Sequence, residues 1–181
     1  AYLVDHNDEI PTCKVEVCPN SIAPKPVNNS NKSRYLARDA YGIPRDSMLL
    51  VFGGNLGKPQ GIGFLLEVLD RSKGRDDIFF LIAGSGTEYS RVKAHLRAGQ
   101  HRNARLIKTL PRDQYDALLM ECDVGLILLD PRFTVPNFPS RLTAYMEAAI
   151  PIIAATDTNT DIRDVLLESG SGIWVRNGDC D

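Results

Sequence analysis

Two stretches of this sequence combine the residue types that hold an anion. The first, Gly53-Gly54-Asn55-Leu56-Gly57-Lys58-Pro59-Gln60-Gly61, separates the apolar run Met48 to Phe52 from an amphipathic segment that begins at Ile62. Glycines let a backbone approach a ligand closely, and the amides that open a helix favour a phosphate or diphosphate. The spacing is neither GxGxxG nor GxxxxGK followed by Ser or Thr, so dinucleotide and P-loop sites have no specific support. The second stretch runs from Asp130 to Arg141. Pro139 and Ser140 suit a first turn and cap, which would turn the amides of Arg141, Leu142 and Thr143 outward beside the Arg141 guanidinium. Taken alone, each loop also reads as an ordinary connection, a glycine-rich turn in one case and a capped helix with a surface arginine in the other.

Other polar groups offer less. Ala83-Gly84-Ser85-Gly86 is either a tight strand-to-helix turn or, at Gly84, a further place for a ligand to approach. His6, His95 and His101 have no carboxylate or Cys at ligand spacing, so no metal is expected. Asp5, Asp8 and Glu9, and likewise Arg75-Asp76-Asp77, read as solvated loop charges. Of the four cysteines, Cys122 ends an amphipathic series and is expected in the core. Cys13 and Cys18 flank a strand-like Val15-Glu16-Val17, and these thiols and that of Cys180 are expected free. The sequons at Asn28 and Asn31 read as loop residues.

The elements that must position these loops are legible from periodicity. Met48 to Phe52, Ile78 to Ile82, Ala104 to Ile107, Val124 to Leu129, Ile152 to Ala155 and Ile173 to Val175 are short and almost wholly apolar, the mark of strands covered on both faces. Between them, apolar residues recur at helical spacing: Ile62, Leu65, Leu66, Leu69; Tyr89, Val92, Leu96; Tyr115, Leu118, Leu119, Cys122; Leu142, Tyr145, Met146, Ala149; and Ile162, Val165, Leu166. This alternation predicts a doubly wound, Rossmann-like α/β domain with a parallel sheet, whose ligands bind outside the carboxyl ends of the strands. Residues 1–44 differ: a Pro- and Asn-rich passage, Pro19 to Asn31, precedes a predicted helix from Lys32 to Tyr41 that Gly42 and Pro44 stop. The expected division is a lead-in segment over 1–44 and the α/β domain over 45–181.

Composition narrows the classes. With 43% hydrophobic residues over 181 positions the chain can bury its own core. A net charge of −2 supplies no basic stripe for nucleic acid. No apolar stretch approaches the roughly 20 residues of a membrane span, and nothing resembles a signal peptide. The chain starts at Ala1 without Met and stops soon after Ile173-Trp174-Val175, which predicts a piece of a longer protein.

In this order the loops resemble the C-terminal, donor-binding domain of retaining GT-B glycosyltransferases, family-four-like, of the bacterial polysaccharide and lipopolysaccharide assembly type. Lys14 to Ile22 is similar to the family's "KVxVxPNGV", Phe52 to Gly61 to its "GRLxxxKG" loop in the "GNLGxxQG" form, and Phe138 to Pro151 to "PSKLxEYMAAGxPV". The resemblance implies one half of a two-domain enzyme that transfers a sugar from a nucleotide diphosphate, UDP first, to a glycan or lipid-linked acceptor. It implies donor contacts at Gly53, Gly54, Asn55, Lys58, Gln60, Gly84, Leu110, Tyr115, Ser140, Arg141, Leu142 and Thr143. Asn55 and Gln60 stand where many members carry Arg and Lys against the diphosphate, and Leu110 and Tyr115 stand where the base is lined. The resemblance also implies no cofactor or metal, an acceptor-binding N-terminal domain outside this chain, and a cytoplasmic location, with the whole protein peripheral to the inner membrane where its acceptor is membrane-associated. Pro136 and Ala144 replace the two acids of the family's Glu-x7-Glu motif, whose second Glu commonly holds the ribose. The alternatives are a sugar-nucleotide epimerase or hydrolase on the same frame and a flavodoxin-like signalling module.

Overall fold

The computed structural model describes residues 2–179 apart from 17, 19, 20, 24–35, 134, 136, 137 and 159. Six strands, β1 (Met48–Asn55), β2 (Ile78–Ser85), β3 (Ala104–Ile107), β4 (Val124–Leu128), β5 (Ile152–Thr156) and β6 (Gly172–Arg176), form one sheet in the order β3-β2-β1-β4-β5-β6. Every pairing is parallel. The chain begins with the short helix α1 (Tyr2–Asp5); α2 (Leu36–Tyr41) leads into β1, and α3 (Ile62–Arg71), α4 (Tyr89–Gly99), α5 (Arg112–Leu119), α6 (Arg141–Glu147) and α7 (Ile162–Ser169) connect successive strands.

The apolar runs are continuous because each strand feeds two cores. Leu49 and Val51 of β1 face one side with Leu118, Leu119, Leu142, Tyr145, Ile162 and Leu166, contributed by α5, α6 and α7. Leu50 and Phe52 face the other side with Ile62, Leu65, Leu66, Leu69 and Val92, contributed by α3 and α4. The crossovers change side between β3 and β4, so the sheet has its switch point between β1 and β4.

The lead-in helix is tied down by charge. Glu121 accepts the Ala37 and Arg38 amides at 2.9 and 3.1 Å, satisfying two donors at the start of α2. Arg38 is buried; its Nη1 donates to the carbonyls of Pro44 and Ser47, and its Nη2 meets Asp123 at 2.7 Å. Asp123 also accepts the Leu49 amide at 2.7 Å, joining the starts of β1 and β4.

Some expectations are corrected here. The described helix before β1 begins at Leu36, and positions 32–35 of the expected helix lie outside the described residues. Thr12–Lys14 is a 3-10 turn, and Val15 and Glu16 are irregular where a strand was expected, because no neighbouring strand pairs with them among the described residues. Val17, Pro19, Asn20, the sequons and Cys180 lie outside the described residues. Cys13 and Cys18 are exposed free thiols, and Cys122 is buried, its thiol pushed up to about 12 by desolvation. Arg75 and Asp77 form an exposed ion pair.

Candidate functional site

Beyond the paired positions Leu50↔Val124 and Val51↔Gly125, β1 and β4 part at the switch point. Divergence leaves backbone polar groups without a ladder partner, and Tyr145 of α6 fills the gap. Its hydroxyl points at the carbonyls of Val51 (3.2 Å) and Leu126 (3.4 Å) and accepts the Gly53 amide (3.3 Å). The side chain is fully buried, and desolvation raises its phenol above its ordinary range. Above this plug lies a cleft of about 420 Å³ lined by residues 53–55 of β1, Gln60, Tyr115 and the segment Phe138 to Arg141 with Ala144.

Gly53 is where Tyr115 crosses the end of β1. A Cβ at position 53 would lie 1.8 Å from the Tyr115 hydroxyl oxygen, so only glycine leaves room for that ring. Burial is also the main reason that the Tyr115 phenol is raised. Both tyrosines are therefore neutral at ordinary pH and offer the cleft polarity without charge.

The charge comes from Arg141. Its side chain is buried, the residue being 8% exposed, yet no carboxylate among the described residues pairs with it. Nη2 donates to Gln60 Oε1 at 2.6 Å and to the Asn55 carbonyl at 3.3 Å, and the guanidinium lies 4.4 Å over the Phe52 ring. Nη1 is buried without a hydrogen-bond partner among the described residues. Desolvation lowers the pKa, but a guanidinium stays protonated, so the cleft keeps a positive charge oriented by an amide, a carbonyl and an aromatic face. A buried cation with one unpaired edge costs stability and is the kind of group that an anionic ligand completes.

Seven of the twelve expected contact residues meet in this cleft: Gly53, Gly54, Asn55, Gln60, Tyr115, Ser140 and Arg141. The other five do not line it. Lys58 is exposed on a 3-10 turn, and Leu110 is half-buried against the core. Gly84 is packed against β1, where a Cβ would meet the Gly54 carbonyl oxygen at 1.9 Å. Leu142 is a core residue, and the Thr143 hydroxyl donates back to the Ser140 carbonyl at 2.8 Å.

The expected amide cradles also change. Ser140 has helical backbone angles (φ −58, ψ −20) and makes no side-chain cap. The Leu142 amide is taken by the Pro139 carbonyl at 3.0 Å, so it does not face a ligand. After the glycine-rich loop, Gly61 (φ +60) packs its backbone on Leu128 and Leu129, which turns the start of α3 against β4 and leaves Gln60 as the lining group. Phe138, and Phe52 through its contact with Arg141, belong to the site without having been proposed for it from the sequence, whereas Pro139 and Ala144, read there as a helix turn and as the replacement of an acid, line the cleft itself. Tyr145 was legible only as an apolar position of α6.

The histidine expectation fails on one point. Asp70, distant in sequence and near the end of α3, brings its carboxylate to both His95 within α4 and His101 just beyond it.

Residues 33–181 match the family model described as glycosyl transferases group 1. The chain belongs to the group 1 glycosyl transferase family. It is 31% identical over 121 residues to a probable glycosyltransferase, WbjE, of Pseudomonas aeruginosa, covering 67% of this chain and 30% of that protein. It is 26% identical over 141 residues to a putative colanic acid biosynthesis glycosyl transferase, WcaI, of Escherichia coli K12, covering 76% of this chain and 33% of that one. The chain thus spans about a third of the length of these curated relatives. Among solved structures, WaaG, a glycosyltransferase involved in lipopolysaccharide biosynthesis, superposes with a TM-score of 0.73 at 16% identity, covering 97% of this chain and 46% of that one. Anabaena HepE in complex with UDP and glucose gives 0.62 at 18% identity over 83% of this chain and 40% of that chain. The group 1 chain therefore carries the Rossmann-like half of the GT-B glycosyltransferase fold. No helix among its described residues is long and apolar enough to cross a membrane.

Proposed function

We propose that this group 1 domain binds the nucleotide-sugar donor of a retaining glycosyltransferase, with the diphosphate against Arg141 and UDP as the first candidate nucleotide. The observation that carries the reading is the buried guanidinium in the switch-point cleft, which has no carboxylate partner and an unpaired Nη1 among the described residues. Crevices at such points are where open α/β sheets take ligands. The crystal of HepE with UDP and glucose supports the choice of nucleotide.

Breaking the bond between the anomeric carbon and the diphosphate puts negative charge on the leaving phosphate. A cation fixed beforehand stabilises that charge as it forms, without reorganisation during the reaction. Gln60 and Phe52 hold the Arg141 guanidinium in place for that role. Gly54 and Asn55 bring backbone to the same wall, and Tyr115 provides an apolar face with a neutral phenol. No carboxylate from the Glu-x7-Glu positions enters: Ala144 lines the cleft, and position 136 lies outside the described residues. The acceptor, a glycan or lipid-linked sugar, is assigned to a second domain. The third of its relatives' length that this chain spans supports that assignment.

Calorimetry of the chain with UDP, GDP, ADP and CMP tests the reading. Weak binding of UDP is expected, because half of a closed cleft is contributed by the other domain. Absence of heat from every nucleoside diphosphate at millimolar concentration would overturn it. Multiple-turnover sugar transfer by these 181 residues alone would overturn the assignment of the acceptor to a second domain.

A further inference from the structure

A second cluster lies at the opposite end of the sheet from the cleft. In a doubly wound sheet each connecting helix runs from the carboxyl end of one strand to the amino end of the next, so α3 and α4 both finish at the amino ends. There Asp70 Oδ1 stands 2.9 Å from His95 Nε2 and 3.1 Å from His101 Nε2. The two imidazole centroids are 5.4 Å apart with planes tilted by 22°. One ligand atom of each of the three residues can be chosen so that all lie within 4.8 Å of one another.

His101 decides what kind of cluster this is. Its side chain is 0% exposed, and neither ring nitrogen makes a hydrogen bond of good geometry among the described residues, although Nε2 faces Asp70 at short range. Its position is imposed by the backbone. Gln100 takes a left-handed turn (φ 49) after α4, and Gly99 makes room for the ring, since a Cβ there would lie 2.4 Å from Nε2. Asn103 Nδ2 then ties the loop to the Ser72 carbonyl at 2.9 Å. A purely hydrogen-bonded cluster satisfies His95 and leaves a buried imidazole unpaired.

We propose that Asp70, His95 and His101 form a three-ligand site for a zinc-type divalent transition-metal ion that clips α3 to the end of α4. Zinc takes imidazole nitrogen at about 2.0–2.1 Å and carboxylate oxygen at about 2.0–2.2 Å, which sets neighbouring ligand atoms of a tetrahedral ion about 3.3 Å apart. The observed 2.9 and 3.1 Å need to open by a few tenths of an ångström, and the two imidazole nitrogens, within 4.8 Å of each other, close on the ion by rotation of the partly exposed His95. Two imidazoles on one such ion have centroids about 5 Å apart, from the same bond lengths, close to the 5.4 Å found. Asp70 and His95, though not His101, line a groove of about 560 Å³ between the two helices together with Glu67, Arg91, Ala94 and Ala98, and water from it would complete the coordination. Because the site is remote from the cleft, the ion is a structural clip and does not touch the donor.

The test is zinc calorimetry and cobalt spectroscopy on the untagged chain, with Cys13, Cys18 and Cys180 replaced by Ser so that their thiols do not compete. A single equivalent of zinc should bind, cobalt should develop the intense visible bands of a four-coordinate ion, and zinc should raise the melting temperature. Asp70→Asn and His95→Gln change partly exposed residues and should keep the fold. Loss of a mere supporting partner costs a metal site about 10- to 100-fold, so each of these ligand changes should weaken zinc at least about tenfold. No zinc binding at millimolar concentration overturns the proposal, and so does binding that both variants leave unchanged.

Discussion

The Oε1 of Gln60 accepts a hydrogen bond from Arg141 Nη2 at 2.6 Å, so the two residues act as one unit on the wall of the cleft. The resemblance puts a cation where Gln60 stands. Here a neutral amide presents its oxygen to the arginine and holds the cation in place instead of adding a second one.

Arg141→Ala should weaken binding of UDP by about 1.5–3 kcal/mol, the worth of a hydrogen bond to a charged group, while uridine binds as before. Lys58→Ala should leave both affinities unchanged, since Lys58 is exposed and outside the cleft lining. Calorimetry on variants with parent-like circular dichroism decides this. The reverse pattern would move the phosphate to the glycine-rich loop.

Gly53→Ala should destabilise the fold by about 1–3 kcal/mol, the usual cost of overpacking, because the new methyl would occupy the place of the Tyr115 hydroxyl. Adding Tyr115→Leu should return part of that loss, measured as a coupling between the two changes in urea denaturation. Strict additivity would mean that the two side chains do not meet.

Tyr145→Phe keeps the ring but removes the hydroxyl that serves Val51, Gly53 and Leu126. Leaving buried backbone groups unpaired should cost about 1–3 kcal/mol. The midpoint of urea unfolding should fall with an unchanged slope. A midpoint equal to the parent's would show that the diverging strands do not depend on this plug.

Asp130, just past β4, is held below the ordinary carboxyl value of 3.8, first by its hydrogen bonds from the Arg132 guanidinium. A depressed folded value means that the unfolded chain binds the proton more readily. The contribution is therefore complete above 3.8 and is lost as pH falls through the lower folded value. Arg132 is 87% exposed, so solvent screening keeps the effect small. Asp130→Asn should lower the urea midpoint relative to the parent above about pH 4, and the gap should close as pH is lowered further. A gap independent of pH would mean that the ion pair is not its cause.

The six strands, the helices between them and the places of the loops after β1 and β4 were determined by the sequence itself. A strand covered on both faces must be apolar at every position, a helix covered on one face must be apolar at every third or fourth, and both patterns survive in one dimension. Tertiary structure decided which side chains meet. Arg141 reaches Gln60 from 81 positions away, and His95 reaches Asp70 across 25, because strand order and helix packing bring those places together. The same limit applies to the amides expected at the start of α6: a spacing that suits a helix start does not reveal that the Pro139 carbonyl already holds the Leu142 amide. Periodicity records which face of an element is buried, whereas a hydrogen bond depends on distances of a few tenths of an ångström between elements, which only the packed sheet sets.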